Sequence, residues 1–149
     1  MGHLYANGQG VTQDYVQAFS WFSKAAEQGF AEAQYNVGLL YTNGRGVSQD
    51  DRQAFSWCRK AAEQGLADAQ SNLGVMYDNG LGVSPDDRQA VIWYRKAAAQ
   101  GDTDAQFNLG VMYANGLGVE QDETQAVNWY RRAAEQGLAD AQFNLGLMY

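Results

Sequence analysis

Few residues of this chain could carry covalent or metal chemistry, and none is arranged to do so. The one histidine, His3, and the one cysteine, Cys58, stand alone. A catalytic nucleophile needs a base within hydrogen-bond reach and a third group to orient that base. No G-x-S-x-G or S-x-x-K motif and no phosphate-cradling glycine loop provides such a set. A calcium loop would need alternating oxygen ligands and a distal glutamate, and the 17 Asp and Glu residues are not spaced that way. No catalytic residue, metal site or cofactor is therefore expected.

What recurs instead is amide chemistry. Asn36, Asn72, Asn108 and Asn144 stand 36 residues apart. An asparagine offers both a donor and an acceptor, which suits an extended peptide backbone. The neighbours of these asparagines vary: Tyr35, Ser71, Phe107 and Phe143 on one side, Leu39, Val75, Val111 and Leu147 on the other. Acids precede them, at Glu32, Asp68, Asp104 and Asp140. In one copy Asp68, Ser71, Asn72, Val75 and Asn79 fall at i, i+3, i+4, i+7 and i+11, within about 100° of arc on a helix. The candidate partner-binding residues are thus Tyr35, Asn36, Leu39, Ser71, Asn72, Val75, Phe107, Asn108, Val111, Phe143 and Asn144. Two readings stay open for the asparagines: contact with a ligand, or bonding to a neighbouring helix in service of assembly.

The elements that position this stripe follow from the same period. Trp21, Trp57, Trp93 and Trp129 keep the 36-residue spacing, as do Gly2, Gly38, Gly74, Gly110 and Gly146. A fixed period of this size signals stacked supersecondary units rather than one globular core. Ala69, Leu73, Met76 and Tyr77 make the apolar stripe of a front helix, ended by Gly80. Asp86 with Gln89 three residues on resembles a capping box and opens a back helix, with Asp14, Asp50 and Asp122 in the same role. Ala90, Trp93, Tyr94, Ala97 and Ala98 form its apolar stripe, and Gly101 ends it. The spacing predicts front helices over 31–43, 67–79 and 103–115. Cys58 occupies the slot of Phe22, Tyr94 and Tyr130, so it reads as a buried small substitute.

The blocks A-x-A-Q-x-N-L-G-x-x-Y-x-N-G-x-G-V and W-x-x-K-A-A-x-Q-G resemble the Sel-1-like repeat (SLR) family, relatives of the tetratricopeptide repeats, over essentially the whole chain. The resemblance implies an all-α fold, a right-handed α/α superhelical solenoid of 36-residue helix-turn-helix repeats whose front helices line the concave side. It also implies adaptor or scaffold roles. The carboxylate clamp of tetratricopeptide repeats needs basic residues on the concave stripe, and this chain has none there. The disulfide stapling of cysteine-rich members does not carry over to a chain with one cysteine. In this frame residues 1–149 form one array: a partial repeat at 1–29, full repeats at about 30–65, 66–101 and 102–137, and a partial repeat at 138–149.

Composition bounds the partners. The chain is 46% hydrophobic and 18% charged with a formal charge of -7, which argues against nucleic acid or an anionic membrane as main partner. No stretch has the length of a membrane span, and no signal-peptide pattern opens the chain; compartment stays open. The expected function is a non-catalytic protein–protein interaction module binding a peptide or protein on its concave face. The alternative is a structural fragment of a larger assembly with no groove ligand. Both ends carry apolar residues, Met1, Leu4 and Tyr5 at one and Ala141, Leu145, Met148 and Tyr149 at the other, so head-to-tail self-association or continuation into further repeats is also expected.

Overall fold

The computed structural model describes every residue except Gln9 and Val11. Among the described residues all regular structure is helical. Front helices α1 (Gly2–Asn7), α3 (Ala31–Asn43), α5 (Ala67–Asn79), α7 (Thr103–Asn115) and α9 (Ala139–Leu147) alternate with back helices α2 (Tyr15–Glu27), α4 (Asp51–Glu63), α6 (Asp87–Ala99) and α8 (Glu123–Glu135). The three full-length front helices span the expected residues. Each helix packs on its neighbours in chain order, so the fold is an α/α solenoid.

Local chemistry sets the boundaries. The carboxylates of Asp14, Asp50, Asp86 and Asp122 accept from the backbone N–H of Gln17, Gln53, Gln89 and Gln125 at 3.0–3.1 Å. The reciprocal half of the capping box is not formed. The N–H of Asp50, Asp86 and Asp122 instead donates to the carbonyl of Tyr41, Tyr77 and Tyr113 at 2.9–3.1 Å. Each loop is thereby tied to the end of the front helix that precedes it. Front helices stop at glycines in the left-handed region, such as Gly80 at φ 70 and ψ 35. Two residues on, a side chain at Gly82 would overlap the Asp51 carbonyl, so the loop lies directly on the start of α4.

The core runs continuously between layers. Leu73 and Met76 of α5 pack with Ala54, Cys58, Ala61 and Trp93, and Leu109 and Met112 of α7 pack with Ala90, Tyr94 and Ala97. Gly74 is required by contact: a Cβ there would lie 2.5 Å from the Tyr94 ring. The four tryptophans, though equally spaced, are not equally covered. Trp93 is buried, but Trp57 and Trp129 are half-buried and Trp21 is 39% exposed. A cation one turn later covers each ring. Lys60 and Lys96 lie 4.0 Å from the centroids of Trp57 and Trp93, and Lys24 and Arg132 lie 4.7 Å from those of Trp21 and Trp129. On the back helix α4, Arg59 pairs with Glu63 one turn on, at 2.8 Å. Arg131 instead donates to the Tyr149 hydroxyl at 2.6 Å.

Glutamines bind one repeat to the next. Gln34, Gln70, Gln106 and Gln142 each donate to the carbonyl of Ala26, Ala62, Ala98 and Ala134 in the preceding back helix, at 3.1–3.3 Å. Gln100 donates to both Gln70 Oε1 (2.8 Å) and the Gly65 carbonyl (2.9 Å). Gln136 repeats the arrangement with Gln106 Oε1 (2.8 Å) and the Gly101 carbonyl (3.1 Å). A buried amide left unpaired would cost about 1–3 kcal/mol, so these bridges favour one register of stacking.

Candidate functional site: the front-helix groove

Three successive front helices border a hollow of 350 Å³ lined by Tyr35 and Leu39 of α3, Asp68, Ser71, Asn72 and Val75 of α5, and Asp102 and Asp104 at the start of α7. The i, i+3, i+4, i+7 spacing along α5 puts its four contributors on one face. The structure thus brings together Tyr35, Leu39, Ser71, Asn72 and Val75 of the expected stripe. Asn36, Phe107, Asn108, Val111, Phe143 and Asn144 do not line this hollow.

The expected residues serve unlike purposes. Asn36 donates to the Glu32 carbonyl of its own helix at 2.7 Å. Asn144 lies beside the Tyr130 hydroxyl. Asn72 and Asn108 are half-buried with no intramolecular side-chain bond among the described residues. Ser71 is only 8% exposed and donates to Asp102 Oδ1 at 2.9 Å. Phe107 leans on the Tyr130 ring at a centroid distance of 5.7 Å. Phe143, at 67% exposed, stands free of the groove.

Variation beside the asparagines has a packing component that the sequence reading missed. Where the back helix offers the small Cys58, the front helix offers the large Tyr35, close enough for the two groups to interact electrostatically. Where the back helix offers Tyr94, the front helix has Ser71. In those two repeats large faces small, which suits close packing, whereas in the third Phe107 lies against the equally large Tyr130.

Electrostatics of the hollow are one-sided. Burial, together with the charge on Asp68 and Asp102, pushes the Tyr35 hydroxyl up to about 12, so it remains a neutral donor. Asp102 accepts from the Ala105 N–H at 2.7 Å as the cap of α7 while it holds Ser71. This residue was absent from the expected stripe, because the equivalent positions are Phe30, Leu66 and Leu138. Its signal was the break in an apolar column. Asp68 and Asp104 are exposed at the rim.

Cys58 is buried and its Sγ lies 3.3 Å from the Ala69 carbonyl. Burial pushes its thiol up to about 12, the reverse of what a nucleophile needs. Among the described residues, no three His, Cys, Asp or Glu side chains gather as metal donors. Among the described residues, no helix is long and apolar enough to cross a membrane.

The comparisons with known proteins agree with this architecture. The Sel1 repeat family model matches residues 1–30, 31–66, 67–102, 103–138 and 139–149. The chain is 48% identical to c5321, a protective antigen present in uropathogenic Escherichia coli strains that displays an SLR fold, at a TM-score of 0.97 over 99% of this chain and 32% of that one. It is 42% identical to a Sel1 repeat protein from Oxalobacter formigenes, at 0.95 over 99% of this chain and 59% of that one. Cysteine rich protein B of Helicobacter pylori is 30% identical, at a TM-score of 0.69 over 89% of this chain and 96% of that one. DAP3-binding cell death enhancer 1 of rat and of mouse shares 64% identity over 28 residues, which is 19% of this chain and 6% of those proteins. Matched from its first repeat to its last, the chain belongs to the Sel1 repeat family.

Proposed function

We propose that this chain is a non-catalytic adaptor module that holds an extended segment of another protein along its front helices. Sel1-repeat proteins are generally protein-interaction scaffolds and their solenoid is generally non-catalytic. The observation that carries the reading is the 350 Å³ hollow, walled by three consecutive repeats and rimmed by the unbonded amide of Asn72. A segment crossing it would lay its backbone against Asn72 and Asn108 and its side chains on Tyr35, Leu39, Val75 and Val111. A displayed random-peptide library selected on the protein tests this. Selected peptides should lose about 0.5–3 kcal/mol of binding when Asn72 and Asn108 become Ala, with helicity unchanged by circular dichroism. Peptides that map by cross-linking to the back helices, or a double variant that unfolds, would defeat it.

A second reading has its own observation. A Cβ at Gly2, Gly74 or Gly110 would meet the ring of Phe22, Tyr94 or Tyr130 at 2.5–2.9 Å, yet one at Gly146 meets nothing within 4 Å. At the opposite end a 290 Å³ hollow is lined by Met1, Gly2, His3, Trp21, Phe22, Ala25, Phe30 and Ala33. Residues 145–149 repeat the positions of 1–5, so α9 of a second copy suits that hollow head to tail, as a further repeat would. Light scattering of the 149-residue chain over a concentration series should show growing assemblies. A strict monomer whose residues 139–149 resist hydrogen exchange would overturn this reading.

A further inference from the structure

Charge in this molecule is sorted by layer. The chain has ten Lys and Arg residues, and not one lies on a front helix. Nine sit on the back helices, and Arg45 sits in the loop between α3 and α4. The front helices carry Glu32, Asp68, Asp78, Asp104 and Asp140 with no basic residue beside them. A place in the first helical turn favours Glu32, Asp68, Asp104 and Asp140 through the helix dipole. The dipole does not account for a face without a single cation. Dipole logic alone would favour Lys or Arg in the last turns of the front helices, and those turns hold none.

The hollow shows what such a face fits. Its floor and wall include the aliphatic Leu39 and Val75 and the ring of Tyr35, and its rim holds the exposed carboxylates of Asp68 and Asp104. Among charged groups it therefore meets carboxylates only. A lysine or arginine side chain has the matching form: a hydrocarbon stem that tolerates burial and a charged head that seeks the rim. An anionic or carboxylate-terminated segment would be repelled, and a purely apolar one would leave the rim carboxylates partly desolvated and unpaired.

We infer that the front-helix groove selects a basic extended segment of a partner protein, its Lys or Arg stems on Leu39 and Val75 and its cationic heads against Asp68 and Asp104. The inference rests on the adaptor reading and names the partner's chemistry. The acidic residue recurs once per repeat, at Glu32, Asp68, Asp104 and Asp140, and a segment in polyproline II can present a cation on one face at every third residue, a spacing of roughly 9 Å.

The test uses fluorescein-labelled Ala-Pro-Lys repeat peptides, with Gln and Glu versions as controls, in anisotropy titrations of the intact chain. Backbone NMR shifts locate the binding. The Lys peptide should bind about tenfold or more tighter than the Gln peptide at low salt. That margin should vanish between about 0.01 and about 1 M salt, as the screening length falls from roughly 30 Å to roughly 3 Å. Asp68→Asn with Asp104→Asn should remove the preference, while Glu27→Gln with Glu135→Gln, an equal change of net charge on the back helices, should keep it. Equal loss in both double variants would reveal unspecific attraction and overturn the inference. Equal binding of Gln and Lys peptides at the front helices would also overturn it and leave the adaptor reading standing. If no peptide shifts front-helix resonances, the basic-segment inference falls, and the library selection decides the adaptor reading separately.

Discussion

Helices α5 and α9 share the run A-D-A-Q-x-N-L-G, yet they sit in different surroundings. In α5, Leu73 and Met76 are fully buried between α4 and α6. In α9, Ala141 is buried, but Phe143 is 67% and Leu147 71% exposed. Leu145 and Met148, the counterparts of Leu73 and Met76, are only half-buried, so the same positions make a full core in one place and half of one in the other. A repeat of this chain thus owns half of a core, and the following back helix completes it. Stability is a property of interfaces between units more than of the units themselves.

Leu73→Ala and Leu145→Ala place the heaviest load on that comparison. The first should cost about 2–5 kcal/mol in urea unfolding. The second, with no back helix above it, should cost under about 1 kcal/mol. Equal losses would mean that α9 is covered after all.

Glycine substitutions should differ in sign. Gly110→Ala puts a Cβ 2.5 Å from the Tyr130 ring and should destabilise by about 1–3 kcal/mol. Gly146→Ala meets nothing within 4 Å and should raise α9 helicity, a gain of up to about 1 kcal/mol. Thermal melts of the pair give the readout.

Amide bridges yield a smaller contrast. Gln100→Ala removes bonds to Gln70 and to Gly65 and should cost about 1 kcal/mol or slightly more. Gln28, at the same position of the first repeat, bonds only the Lys24 carbonyl of its own helix, so Gln28→Ala should stay within about 0.5 kcal/mol.

The least effect at neutral pH concerns Cys58. Burial in the folded chain pushes its thiol up from an ordinary value of 9.0 to about 12. Below pH 9 both states are protonated and stability does not depend on this group. Above that value the unfolded chain ionises first, so stability falls as pH rises toward the folded value. Alkylation at mildly basic pH should be slow in the native protein and fast in urea. Rapid native alkylation would show that the α4–α5 interface opens readily.

The period made most of the fold legible before any coordinates. Gly80, Asp86 and Gln89 mark the helix ends because each acts on its own backbone, and local effects survive in sequence. The groove was harder to read. Ser71 and Asn72 are adjacent, and their geometry alone does not say that Ser71 turns inward to Asp102, thirty-one residues away. The asparagine column is uniform in sequence, but Asn36 bonds its own helix and Asn144 lies beside a tyrosine, because each asparagine answers to neighbours that vary. The glutamine bridges show in sequence only as a recurrent polar residue on an apolar helix face, which does not name the carbonyls they bond.

Those bridges bear on how such a chain can change over generations. Gln136 takes its carbonyl from Gly101 and Gln100 takes its own from Gly65, residues in equivalent places. Excision of residues 66–101 would join Gly65 to Asp102 and hand the Gly65 carbonyl to Gln136. The amide junction would find a partner of the kind it had lost, while Asp102 would face Tyr35 in place of Ser71. Recombination between duplicated codons can therefore shorten or lengthen the array in whole units with its amide bridges kept. Array length becomes a heritable variable separable from stability, and a melt of the shortened chain, lower by one interface yet still cooperative, would show it.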